Sequence, residues 1–294
     1  MPTAVRIPIM HISEIYRRRR RVFSFEFFPP KTEEGFRSLY RTIEKLQSRS
    51  PDFVSVTWGA GGSTRRKTVE LVIQIQRRLG ITAVAHLSCI HSTREQLAET
   101  LDELEAGNIE NVLALGGDRP PGYQPPPDAF TYANELSSFI GSHWNFDIGG
   151  ACYPETHPLA PSPEADLENL VRKANTGIKV LITQLFFDNG CYFEFVERAR
   201  AAGIEQPIVP GIMPIVSAAN FERITAMCGA RVPPKLAAQL REVADDDAET
   251  MEVGVEWAMQ QCGDLLSRGA PGIHFYTMNK SPATRRIFES LLNR

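Results

Sequence analysis

Eight short runs rich in β-branched and aromatic residues recur along this 294-residue chain, most of them followed by a longer stretch of helical periodicity. The runs are Phe23 to Phe28, Phe53 to Trp58, Ala83 to Leu87, Asn111 to Leu115, Asp147 to Cys152, Val180 to Phe186, Ile208 to Ile212 and Gly272 to Tyr276. Such alternation marks a parallel sheet, because a parallel neighbour is reached only through a crossover. The amphipathic stretches Glu34 to Gln47, Arg65 to Leu79, Arg94 to Ala106, Glu164 to Thr176 and Tyr192 to Ala202 are long enough to be those crossovers. Eight units in one chain of this size fit a closed (β/α)8 barrel better than an open sheet, since closure removes both edges. The expected organisation is a helical N-terminal extension over residues 1–22 and a single-domain barrel over 23–294.

Local punctuation supports these units. Ser63, Thr64, Ser92 and Ser162 with Pro163 are placed to open helices. Gly80, Gly107, Gly177 and Gly203 are placed to end them in a left-handed conformation. Asp245 to Asp247 should open the last long helix, at its positive dipole end. The proline-dense stretches Pro120 to Pro127 and Pro154 to Pro163 are too long for tight connections and are expected to be functional loops on one face.

Composition narrows the partners. With 43% apolar and 23% charged residues the chain can bury a large core. Its 32 basic and 35 acidic residues, net −3, offer no general attraction to nucleic acid or an anionic membrane, which favours a small-molecule ligand. The run Arg17 to Arg21 reads as a solvated helix face. Five cysteines without a C-x-x-C pair fit a reducing compartment. The first residues make a poor signal peptide, and no apolar stretch approaches the roughly 18 to 20 residues of a membrane span, so a cytoplasmic location is expected.

Polar side chains recur at or just past the C-terminal ends of the strands, where barrel active sites assemble: Glu26, Thr57, His86, Asp118, Tyr153, Gln184 and Lys280. In SFEFFPP, alternation turns Glu26 away from Phe25 and Phe27. On the barrel mouth, desolvation would favour its protonated, proton-donating form; a structural salt bridge is the alternative. Gly116 and Gly117 let backbone approach a ligand and deliver Asp118, which turn chemistry alone would also explain. His86, Cys89 and His91 match no zinc spacing, and no metal site is expected. Tyr153, Glu155 and His157 could line a planar ligand or simply build a loop, and Gln184 suits a heterocyclic amide edge.

Taken together, SFEFFPPK, FVSVTWGAGGS, AHLSCI, LALGGDRPPG, GACYPETHP, ITQLFFD, PGIMPI, DDDAET and HFYTMNK run in order over nearly the whole chain. They resemble the methylenetetrahydrofolate reductases of the bacterial flavin-dependent type. The resemblance implies an FAD-holding barrel that passes electrons from NADH or NADPH to 5,10-methylenetetrahydrofolate in ping-pong fashion, giving 5-methyltetrahydrofolate for one-carbon metabolism, in a homo-oligomer. It implies that Glu26 is the acid that opens the folate's imidazolidine ring, that Asp118 lies by the flavin, and that Gln184 contacts folate or nucleotide.

For FAD the resemblance implies Thr57, Trp58, Ala60, His86, Gly116, Gly117, Asp118, Ala133, Tyr153, His157 and Ala160. Asp166, Asn169, Arg172 and Lys173 follow on one helix, three of them on a shared face. For the substrate it implies Glu26, Thr57, Gln184, Asn220 and Lys280. Gly116 stands where enteric-type relatives carry an arginine, Asn220 matches a glutamine position, and Lys280 replaces an arginine, which removes a bidentate donor. Two other activities fit the residues: a flavin-free one-carbon transfer from reduced folate, and a barrel subunit that takes electrons from a partner protein.

Overall fold

A computed structural model describes residues 9–47, 50–58, 62–119, 122–279 and 281–292. Among the described residues nine parallel strands form one sheet: β1 (Val22–Phe27), β2 (Phe53–Val56), β3 (Thr82–Ser88), β4 (Asn111–Leu115), β5 (Asp147–Cys152), β6 (Ile178–Thr183), β7 (Ile208–Val209), β8 (Gly211–Ile212) and β9 (Gly272–Tyr276). Their spatial order is β7-β6-β5-β4-β3-β2-β1-β9-β8. The two ends of this order, β7 and β8, are consecutive pieces of the expected seventh strand, parted by Pro210. β7 pairs with β6 and β8 with β9, so this stave joins the two ends of the sheet and the barrel closes. Proline has no N–H to offer the ladder, but the Pro210 carbonyl still accepts from His274 N at 3.0 Å.

Around the strands run α2 (Glu33–Gln47), α3 (Gly62–Gln74), α4 (Arg94–Ala106), α5 (Ala133–His143), α6 (Pro163–Ala174), α7 (Asn189–Ala201), α8 (Ala218–Cys228), α9 (Pro234–Glu242), α10 (Asp247–Ser267) and α11 (Ser281–Leu292), after a short α1 (Ile12–Arg18). Alternation on the strands separates two cores. Phe23, Phe25 and Phe27 face outward, and Phe25 stacks on Phe275 at 5.3 Å and meets Phe288 edge-on at 5.1 Å. Each such fully buried ring contributes about 2 to 3 kcal/mol. The inward set, Val22, Phe53, Val84, Leu113, Val180, Ile182 and Val209, clusters with Met10, Ile12 and Ile15.

Thus α1, with Met10 and His11 just before it, closes the N-terminal end of the barrel. Asn111 holds them there: its Oδ1 accepts from Ile12 N at 2.7 Å and its Nδ2 donates to Met10 O at 3.1 Å. Asp147 adds an acceptor for Ser13 N at 2.8 Å and a contact to His11 Nδ1 at 3.1 Å. The opposite, C-terminal end is the one at which barrel active sites assemble.

Several local expectations are revised. α3 begins at Gly62, one to two residues before the expected caps Ser63 and Thr64, and its last turn is π-helical over Ile75–Leu79. That turn buries Gln76, which donates to Asn108 O and accepts from Ala83 N. α4 does not end with a left-handed Gly107, whose φ is −77°; Asn108 takes that conformation at φ 59°. Gly107 is small because a Cβ would lie 2.5 Å from Ile73 Cδ1. α4 opens on Thr93 rather than Ser92, with a capping box to Gln96. Gly80, Gly177 and Gly203 do have positive φ, and Asp246 caps α10 through Ala248 N and Glu249 N. In the arginine run Arg18 pairs with Glu14 and Arg19 lies 3.6 Å from Asp52. Among the described residues no helix is long and apolar enough to cross a membrane.

Candidate active site

Glu26 projects from β1 into the barrel, and its backbone is level with Ser55 on β2 and Tyr276 on β9. Only 8% of it is exposed. Its Oε2 lies 3.5 Å from the Nε2 of His86 on β3 and 3.5 Å from the Nε2 of His274 on β9. Two residues lower on the same face, Ser24 Oγ meets His274 Nδ1 at 2.7 Å. With Ser24 donating to Nδ1, the other ring nitrogen of His274 carries its proton toward the carboxylate. Burial is the main cause that lowers the His86 pKa to about 4; Glu26 opposes the shift and His274 adds to it. His86 is consequently neutral near pH 7. Its Nε2 and the Ser55 Oγ are buried without a hydrogen-bond partner among the described residues, so this layer of the barrel retains polar capacity.

Tyr276 caps the layer by crossing to β6, where its hydroxyl donates to Thr183 O at 2.6 Å. Gly211 makes room for it, since a Cβ there would lie 2.6 Å from Tyr276 Cε2 and 2.4 Å from Thr183 O. Thr57 follows β2, donating through its N to Phe27 O at 2.9 Å, and Trp58 is half-buried against the outer core. Ala60 and Lys280 lie outside the described residues.

The turn after β4 carries Gly116, Gly117 and the exposed Asp118. A Cβ on Gly116 would meet nothing within 4 Å, whereas one on Gly117, at φ +93°, would strike Ser88 Oγ at 2.0 Å. His86, Cys89 and His91 diverge as strand-to-turn geometry requires. Cys89 donates its S–H to Gly116 O at 3.1 Å, and His91 turns to Ser88 Oγ at 2.8 Å and to the Tyr123 ring.

Beyond β5 the loop over 153–162 forms an aromatic corner in which Tyr153 meets His157 edge-on, ring centres 4.5 Å apart. Burial pushes the Tyr153 phenol up, and the Asp118 carboxylate pushes the same way, so the β4 and β5 turns share one electrostatic environment. Ala160 N bonds to His157 O at 2.9 Å, and Ala133 opens α5. On α6 the expected common face divides by function. Asp166 accepts from His157 N at 2.9 Å and Lys173 donates to Ala151 O, so both brace the loop and strand. Burial lowers the Lys173 pKa, with Asp166 opposing. Asn169 and Arg172 remain exposed and contact each other.

Gln184 closes β6, with its Oε1 accepting from Leu185 N at 2.9 Å. Asn220 stands on α8, where its Oδ1 accepts from Arg223 at 2.9 Å. Sequence reasoning did not single out Ser24 or His274. Both were accessible to it: Ser24 shares the inward parity of Glu26, and His274 is the central residue of the strand GIHFY.

Comparison with known proteins agrees with this architecture. The family model described as methylenetetrahydrofolate reductase matches residues 11–292. The chain is 39% identical over 91% of its length to the 5,10-methylenetetrahydrofolate reductase of Escherichia coli, covering 90% of that protein. It is 36% identical over 95% of its length to methylenetetrahydrofolate reductase (NADH) 1 of Arabidopsis thaliana, of which it spans 50%. The chain thus spans about half the length of its plant relatives. Among solved structures, a Clostridium thermocellum protein described as binding two copies of 5-methyl-5,6,7,8-tetrahydrofolic acid aligns with a TM-score of 0.66 at 16% identity, covering 96% of this chain and 97% of that one. A dihydropteroate synthase of Xanthomonas albilineans aligns at 0.54 and 11%, covering 93% and 92%. These two share the fold, whereas the sequence matches go further: the chain belongs to the methylenetetrahydrofolate reductase family.

Proposed function

We propose that this chain reduces 5,10-methylenetetrahydrofolate to 5-methyltetrahydrofolate with electrons from NADH or NADPH, carried by bound FAD. The observation that carries the reading is the buried Glu26 carboxyl between two imidazoles at the open end of a barrel of this family. In the reduction the bond between the methylene carbon and N10 of the folate breaks, N10 takes a proton and the carbon takes a hydride. Glu26 in its protonated form is the donor to N10. His274, tied to Ser24, orients that carboxyl and supports it from below. His86, neutral near pH 7, places no cation beside that carboxyl.

The residues present fit a flavin nucleotide. The open space at Gly116 lets a planar ring system approach the β4 turn, and Tyr153 with His157 offers an aromatic corner next to it. Exposed Asn169 and Arg172 suit the ribose and phosphate end, while Asp166 and Lys173, already engaged with backbone, shape the wall. Thr57, Trp58, Ala60, Gly117, Ala133 and Ala160 would complete the contact. Bound there, FAD would supply a two-electron carrier between nicotinamide and folate. Asp118, exposed at the mouth, stabilises developing positive charge on the opened folate; Gln184, Asn220 and Lys280 hold the substrate.

The test is the visible spectrum of the purified, FAD-loaded protein under anaerobic conditions. NADH or NADPH should bleach the flavin, and 5,10-methylenetetrahydrofolate should restore its colour with formation of 5-methyltetrahydrofolate. A flavin that bleaches but is not reoxidised by the folate would sink the reading.

A further inference from the structure

The Tyr153–His157 corner sits on a loop whose backbone is strained. Thr156, between the two rings, has φ 81°, a left-handed conformation that a β-branched residue adopts only when its surroundings impose it. Both neighbours of Thr156 are clamped. On one side His157 N donates to Asp166 Oδ2 at 2.9 Å. On the other, the Glu155 side chain is only 10% exposed and is held by Arg231, which reaches it from the connection between α8 and α9. Arg231 Nε donates to Glu155 Oε1 at 2.9 Å and Arg231 N to Oε2 at 3.2 Å, a two-point grip. The Arg231 side chain is 76% exposed, so it contributes little to the core.

Resting on the reading of this corner as part of the flavin site, we propose that Arg231 is a positioning residue for it. By gripping Glu155, it holds Thr156 in the left-handed conformation and so fixes Tyr153 and His157 as a preformed platform for the flat, aromatic part of the nucleotide. A preformed platform binds more tightly than one that must be ordered on binding. The inference also ties cofactor retention to a segment some 76 residues away in sequence from Glu155.

The experiment measures FAD affinity of the full chain, by flavin fluorescence on dilution of the loaded protein, for wild type, Arg231→Ala, Thr156→Gly and the double variant. Arg231→Ala should weaken FAD binding by about tenfold, with an unchanged far-ultraviolet dichroism spectrum. Glycine tolerates positive φ without steric cost. Hence Thr156→Gly should restore at least about threefold of that loss in the Arg231→Ala background, while changing affinity little alone. A general structural role for Arg231 would show no such recovery, and that result would overturn the proposal. So would an Arg231→Ala protein that holds FAD as tightly as wild type. A wild-type chain that takes up no FAD overturns the reading beneath the proposal, and the proposal with it.

Discussion

Glu26 and His274 meet across the seam between β1 and β9, carboxylate Oε2 to imidazole Nε2 at 3.5 Å, with Ser24 fixing the far side of the ring at 2.7 Å. The arrangement gives a buried carboxyl a neighbour whose ring is oriented by a serine. Such a neighbour governs how the carboxyl points.

Glu26→Gln keeps the shape and removes the proton donor. It should retain FAD and its bleaching by NADH, while reoxidation by 5,10-methylenetetrahydrofolate slows by about 10² to 10⁴. Stopped-flow absorbance of the two half-reactions separates these effects, and equal slowing of both would remove Glu26 from the role.

His274→Ala leaves Glu26 in place without its oriented neighbour. Folate-dependent reoxidation should slow by about ten- to a hundredfold, and its pH profile should move, whereas the substrate KM changes little. Ser24→Ala should show the same displacement of the pH profile at smaller size. An unmoved profile in both variants would reduce the pair to packing.

His86 makes stability depend on pH. Its folded pKa of about 4 lies below the ordinary 6.5, so between these values the unfolded chain binds a proton that the folded one refuses. The fold should therefore lose stability as pH falls from about 6.5 toward 4, by about 2 kcal/mol at pH 5 from this group. Urea midpoints at pH 7.5 and 5 should fall less steeply for His86→Gln than for wild type.

Gly211→Ala places a methyl 2.4 Å from Thr183 O and 2.6 Å from the Tyr276 ring, where neither can retreat without disturbing the closing stave. Thermal or urea unfolding should show a loss of about 1 to 3 kcal/mol. Displacement of Tyr276 should also slow folate turnover, a signature that simple loss of stability would not give.

Much of this was legible in the sequence, for reasons that can be named. The periodicity of SFEFF put Glu26 on the face opposite Phe25 and Phe27 because strand alternation is a local property, and the limits of β4, β5 and β9 matched their apolar runs. The split at Pro210 was not anticipated, because whether a proline breaks a stave depends on which neighbours need its N–H. Likewise Gly107 and Asn108 exchanged roles through a contact with Ile73, a residue of another helix. Arg231 escaped for the same reason, since it acts through a partner far along the chain, whereas the place of His274 at the centre of GIHFY was there to be read.

That distance has a kinetic meaning. Glu26 and His274 are separated by 248 positions, and the same His274 is bonded through its N–H to Pro210 in the stave that joins the two ends of the sheet. Contacts of such long loop closure form late in folding, after the local βα units. The acid and its imidazole therefore come together only when the barrel shuts, and during refolding recovery of helical dichroism should run ahead of recovery of folate turnover.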